Sequence, residues 1–145
     1  MLMMPSDRYE RGWYIVSQWD STSKKIAAIT LFVRELADAK QFYHDVFGLP
    51  VSYEDANSVV FQFEHTMINL LQVGSADELI APATVAPANS GSQFVFTVSV
   101  DDVDAVCDEL KSRGVRVLNG PMNRPWGIRT ASFVDRDGYV WEIAH

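Results

Sequence analysis

Two stretches of this 145-residue chain, VRELADAKQFYHDVFGLPV at 33–51 and VDDVDAVCDELKSRGVRV at 100–117, decide the fold because they repeat one another. The separation is 67 residues at their opening valines and 66 at Gly48 and Gly114. In the first, Ala39, Phe42, Tyr43, Val46 and Phe47 recur at three-to-four spacing, and in the second Val103, Val106, Cys107 and Leu110 do the same. That period gives a helix with one apolar face, and a glycine after the last periodic residue ends it. Asp101 or Asp102 supplies the cap of the second helix.

Outward from the helices, the pattern becomes that of strands. IAAITLFV at 26–33 and the segment 94–100 precede the helices as apolar, β-branched runs. Strands at 50–54, 58–64 and 67–73 follow the first helix, and strands at 115–118, 128–134 and 139–144 follow the second, with Asp137-Gly138 as a turn. The fold class is therefore α+β, with two βαβββ modules and a cleft shared between them. The divisions are an N-terminal arm at 1–25, a first module at 26–74, a linker at 75–92 and a second module at 93–145. The linker is rich in Ala, Pro, Ser and Gly, and its DELIAP portion is compatible with one helical turn. In the arm, Tyr9, Trp13, Tyr14, Ile15, Val16 and Trp19 suit packing against this subunit or a partner. Neither half alone holds a sufficient core, so the two form one fused unit.

Composition narrows the function. Twelve Lys and Arg against nineteen Asp and Glu give a net charge of −7, and no basic run exceeds Lys24-Lys25, which disfavours a nucleic-acid surface. With Cys107 alone there is no intramolecular disulfide, and its place in the apolar stripe makes it a structural thiol rather than a nucleophile. No apolar run approaches the roughly 18 residues of a membrane span. A cytoplasmic protein without membrane or nucleic-acid partners is expected.

Four signals together resemble the vicinal oxygen chelate superfamily, which includes glyoxalase I, extradiol dioxygenases and bleomycin resistance proteins. They are Val33-Arg34-Glu35-Leu36 closing the first strand, the FYHDVFGL pattern at 42–49, VDDVDA at 100–105, and DRDGYVWEI at 135–143. The likeness spans about residues 26–145 and implies two βαβββ modules forming a curved mixed sheet around a cleft, the glyoxalase/bleomycin resistance-like fold, often completed in a homodimer. Family enzymes hold a divalent metal between His and carboxylate ligands. Matching the motifs puts Ala28 and Val95 at two of those positions, Asn69 at a third and Glu142 at the fourth. Two of these side chains cannot coordinate a metal, and His44, His65 and His145 do not naturally replace them. No metal site and no cofactor are expected.

Without a metal, the remaining cleft surface is aromatic and apolar with few polar groups: Thr30, Phe32, Phe61, Phe63, Asn69, Leu71, Phe94, Thr97 and Trp141. The same residues are equally suited to a core, and alternation alone does not say which face the cleft. The ligand-binding candidates are Phe32, Phe61, Asn69, Trp126, Arg129 and Glu142. Trp126, framed by Pro125 and Gly127, suits a stacking lid or a packed anchor, and this PWG-x-R segment resembles the bleomycin-resistance-like branch. Arg124 or Arg129 can pair with an anionic ligand or with Glu142. Glu142 is a structural partner, a ligand contact or a weak candidate for acid/base catalysis. The leading expectation is metal-independent binding of a small amphipathic or aromatic molecule by a homodimer, with antibiotic sequestration suggested by the resemblance. The alternative is a lyase, isomerase or dioxygenase-like enzyme with an atypical metal site or Glu142-based chemistry, and a third reading is an interaction module using the arm.

Overall fold

The computed structural model describes residues 25–145, so the arm expected at 1–25 lies almost wholly outside the described residues. From there the order is β1 (Ala28–Val33), α1 (Leu36–Phe47), β2 (Val51–Glu54), β3 (Ser58–Gln62), β4 (Met67–Gln72), a 3-10 turn (Val73–Ser75), the short α2 (Asp77–Ile80), β5 (Val95–Ser99), α3 (Val103–Ser112), β6 (Arg116–Asn123), β7 (Arg129–Val134) and β8 (Val140–Ala144). Two four-stranded sheets result, ordered β1-β4-β3-β2 and β5-β8-β7-β6. In each, the strand before the helix runs parallel to the last strand of its module, and the remaining neighbours are antiparallel. The repeated sequence thus becomes a repeated topology. No helix among the described residues is long and apolar enough to cross a membrane.

The period of two along the strands sorts residues between a helix side and an outer side. Leu31 and Val33 of β1, Val59 and Phe61 of β3 and Leu70 of β4 are buried on the helix side of the first sheet. Ala131, Phe133, Trp141 and Ile143 are their counterparts in the second. These two sides join through α1, forming one core. Phe47 lies 5.0 Å from Phe63, 6.2 Å from Phe133 and 4.7 Å from Trp141 between ring centroids, and Phe63 stacks on Trp141 at 5.7 Å. The centre of the space between the sheets of one chain is therefore filled by aromatic rings.

Polar contacts lock the same junction. The Tyr43 hydroxyl donates to Asp135 Oδ2 at 2.5 Å and accepts from Trp141 Nε1 at 3.1 Å, bridging the modules inside the core. Asp135 Oδ1 accepts from the backbone N–H groups of Asp137 and Tyr139, so one carboxylate shapes the β7–β8 turn and holds α1. Tyr139 returns the link: its hydroxyl lies 3.1 Å from the Phe32 N–H and donates to the Phe32 carbonyl at 2.9 Å.

Asp102 caps α3 by accepting from Ala105 N at 3.0 Å, and Gly48 ends α1 in the left-handed conformation at φ 65°. β6 departs from the sequence reading, which ended it at residue 118: the strand continues through Gly120-Pro121 to Asn123 with two register shifts against β7. As the outermost strand it tolerates a proline without an amide proton. Gly120 is required there because a Cβ would sit 2.4 Å from the Thr130 carbonyl oxygen, and its φ is +83°.

Candidate functional site

On the outer side of the first sheet, Thr30 of β1 is in register with Asn69 of β4. In the second sheet Thr97 of β5 is in register with Glu142 of β8. The repeat therefore places a threonine beside a carbonyl-bearing side chain on each outer face. Asn69 Nδ2 donates to Thr30 Oγ1 at 3.3 Å, and Thr97 Oγ1 donates to Glu142 Oε1 at 3.0 Å. Asn69 Oδ1 is enclosed and has no hydrogen-bond partner among the described residues. A buried acceptor without a donor is costly, and it is satisfied when a donor is brought to it.

The six candidates separate into three groups. Asn69 and Glu142 lie on the outer faces, and the alternation of β1 puts Phe32, half-buried, on the same side as Thr30. Phe61 does not join them. It is wholly buried on the helix side, 6.3 Å from Tyr43 between ring centroids, which corrects its reading as a ligand wall. Trp141 is likewise core, for the same reason: the strand pleat sends it toward α1.

Arg129 is turned away from Glu142. Its Nε and Nη2 donate to Asp104 at 2.6 and 2.7 Å and its Nη1 to Asn123 at 3.1 Å, a bidentate pair on the surface of α3. That donation holds the Asp104 carboxyl below its usual range. Arg124 is also committed, through Nε to Thr130 Oγ1 and Nη2 to Asn119 Oδ1. Trp126 projects from the β6–β7 loop with 68% of its surface exposed, and Phe94 and Val95 at the start of β5 are 51% and 49% exposed. Strand register sets them apart: Val95 pairs with Val140 at the start of β8, whereas the loop of Trp126 leads into Arg129, which pairs with His145 at its end.

Ala28 shares the outer side of the first sheet with Thr30 and Asn69, while Val95 lies with Thr97 and Glu142 on the second. An alanine and a valine thus stand where a His–carboxylate metal centre needs donors. Among the described residues no three His, Cys, Asp or Glu side chains cluster to hold an ion. The residues present do not fit the metal that the fold implies. His44 and His65 are exposed beside Asp45 and Glu64, and Cys107 is buried with a free thiol.

The sequence profile of the Glyoxalase/Bleomycin resistance protein/Dioxygenase superfamily matches residues 25–143. The chain belongs to that superfamily. The Bacillus subtilis protein YraH, itself uncharacterized, is 31% identical over 123 residues, covering 82% of this chain and 96% of its own. A probable lactoylglutathione lyase of Vibrio cholerae is 27% identical over 128 residues, covering 84% and 91%. Among solved structures, a glyoxalase/bleomycin resistance protein/dioxygenase from Nocardioides superposes with a TM-score of 0.77 at 20% identity, over 93% of this chain and 91% of that one. A glyoxalase-related enzyme from Fulvimarina pelagi gives 0.72 at 21%, over 83% and 87%. The structural likenesses establish the shared fold of paired βαβββ modules. Within that superfamily, small-molecule binding or catalysis is the common use of the framework.

Sequence reasoning missed the Tyr43–Asp135–Trp141 bridge. Its signal was a tyrosine in the otherwise apolar stripe of α1, since a buried tyrosine brings a hydroxyl that needs partners.

Proposed function

We propose that this superfamily member binds a small amphipathic or aromatic molecule without a family-type metal, on the outer faces carrying Thr30–Asn69 and Thr97–Glu142. The observation that carries this reading is the enclosed, unpartnered Asn69 Oδ1, with Ala28 and Val95 at two of the three other family ligand positions and Glu142 at the third. A ligand N–H or O–H satisfies that oxygen, Glu142 accepts a second donor, and Phe32 contributes apolar area. In this reading two copies associate so that the first sheet of one faces the second sheet of the other, closing the cleft. The exposed Phe94, Val95 and Trp126 support it, because a single chain leaves them in water. Sequestration of an amphipathic antibiotic is one use of such a cleft.

The test is thermal unfolding against a panel of planar aromatic compounds and amphipathic antibiotics, with molar mass measured by light scattering. A dimer protected by at least one compound, with protection lost in Asn69→Leu, is the expected result. A monomer protected by none refutes the proposal. The resemblance to the Vibrio cholerae lyase motivates a second reading, in which Glu142 exchanges a proton with a bound substrate and Thr97 orients it. Lactoylglutathione lyase turnover by the wild type that survives Glu142→Gln unchanged sinks that mechanism.

A further inference from the structure

Away from both outer faces, a cavity of about 430 Å³ opens between α1 and the second module, bounded by the α3–β6 connection and the β7–β8 turn. Arg34, Arg113, Arg116 and Arg136 all line it. Those are four of the six arginines in the described chain, gathered at one place in a protein whose net charge is −7. The other two, Arg124 and Arg129, are tied to structural partners elsewhere.

The carboxylates around the cavity are already engaged. Asp135 is taken by Tyr43 and the turn amides. Asp137 accepts from the Arg34 backbone at 3.0 Å and lies 3.6 Å from Arg34 Nε, and the Asp45 carboxylate accepts from Gln41. Arg113 donates to the Asp45 carbonyl and pairs with Glu109, which fixes that guanidinium at the rim. The side chains of Arg116 and Arg136 make no hydrogen bond or ion pair among the described residues, while the Arg116 backbone pairs with Val134. The wall also includes Phe42, Val46, Val115 and Val134, an apolar surface beside the guanidinium groups.

We propose that this groove is a second binding site, for a small organic molecule bearing a phosphate or carboxylate group. Arg116 and Arg136 donate to the oxyanion, Arg34 adds charge, and the apolar wall receives the body of the ligand. Planar guanidinium forks suit such groups, and the cavity volume is that of a small-metabolite pocket. Because Arg34 belongs to the first module and Arg116 and Arg136 to the second, an occupant also straps the modules together.

The test uses inorganic pyrophosphate and citrate as separate probes at constant ionic strength, with chloride as the reference, on the full chain. At about a hundred times its dissociation constant, a bound probe raises the unfolding midpoint by several degrees. The Gly114 and Gly138 amide signals, both at the cavity wall, shift with the same saturation curve. Arg116→Gln combined with Arg136→Gln abolishes both effects, and its unperturbed midpoint without probe shows that it folds. Response to pyrophosphate alone identifies a phosphate ligand, and response to citrate alone a carboxylate one. No response to either probe, or an equal response in the double variant, overturns the proposal. Neither outcome bears on Asn69 or Glu142, so this site fails or stands independently of the cleft.

Discussion

Replacing Tyr43 by Phe removes one oxygen from the middle of the core and tests whether the module junction depends on its polar bridge. Tyr43, Asp135 and Trp141 are 1%, 7% and 2% exposed, so water does not replace what is lost. The variant loses a charge-assisted hydrogen bond, about 1.5–3 kcal/mol, and strands the Trp141 N–H, a further cost of about 1–3 kcal/mol. The two share one atom and are not additive, so a loss of about 3 kcal/mol at neutral pH is expected. For a chain of this size that lowers the unfolding midpoint by about 10 °C.

The pH dependence is the sharper part. Burial pushes the Asp135 carboxyl above the ordinary carboxylate range, against the opposing pull of the Tyr43 hydroxyl and the turn amides. A raised folded-state value means that its contribution to stability is fully present below the unfolded value, about 3.9, and is lost as pH rises through the folded value. Without the Tyr43 hydroxyl that value rises further, so the loss extends over a wider window. The difference between wild type and Tyr43→Phe is therefore largest near neutrality and shrinks as Asp135 takes up its proton in both. Urea unfolding across that range measures it, with Asp135→Asn completing a double-mutant cycle whose coupling should exceed about 1 kcal/mol. A difference below about 0.5 kcal/mol, or one independent of pH, refutes the reasoning.

Asn69→Leu removes an unsatisfied buried acceptor, so its stability without ligand should stay within about 1 kcal/mol of wild type while ligand protection disappears; Leu70→Ala, on the helix side, should cost about 2–5 kcal/mol. Gly120→Ala brings a methyl against the Thr130 carbonyl in a left-handed backbone, and should lower stability by about 2–4 kcal/mol in denaturant titration. Protein purified without chelator should contain far less than one divalent ion per chain by elemental analysis.

What the chain alone determined is local. Alternating and three-to-four apolar spacing specifies strands and helices wherever the segment is long enough, and the repeat at 33–51 and 100–117 made the duplicated order legible. The loss of donors at Ala28 and Val95 was legible too, because position within a motif needs no coordinates. Tertiary structure decided what depends on partners distant in sequence. Glu35 begins α1 with no side-chain cap, and Gln72, 36 residues on, accepts from the Leu36 amide instead. Phe61 and Phe32 are both strand phenylalanines, yet the pleat buries one beneath α1 and leaves the other on the outer side. By sequence Arg129 was a partner for Glu142 or for an anionic ligand; the approach of α3 to β7 gave it to Asp104 and left Glu142 to Thr97. The four arginines of the cavity come from separate segments and meet only when the modules pack. Spacing along a chain carries a local period, whereas hydrogen bonds and burial are set by which surfaces the folded modules bring into contact.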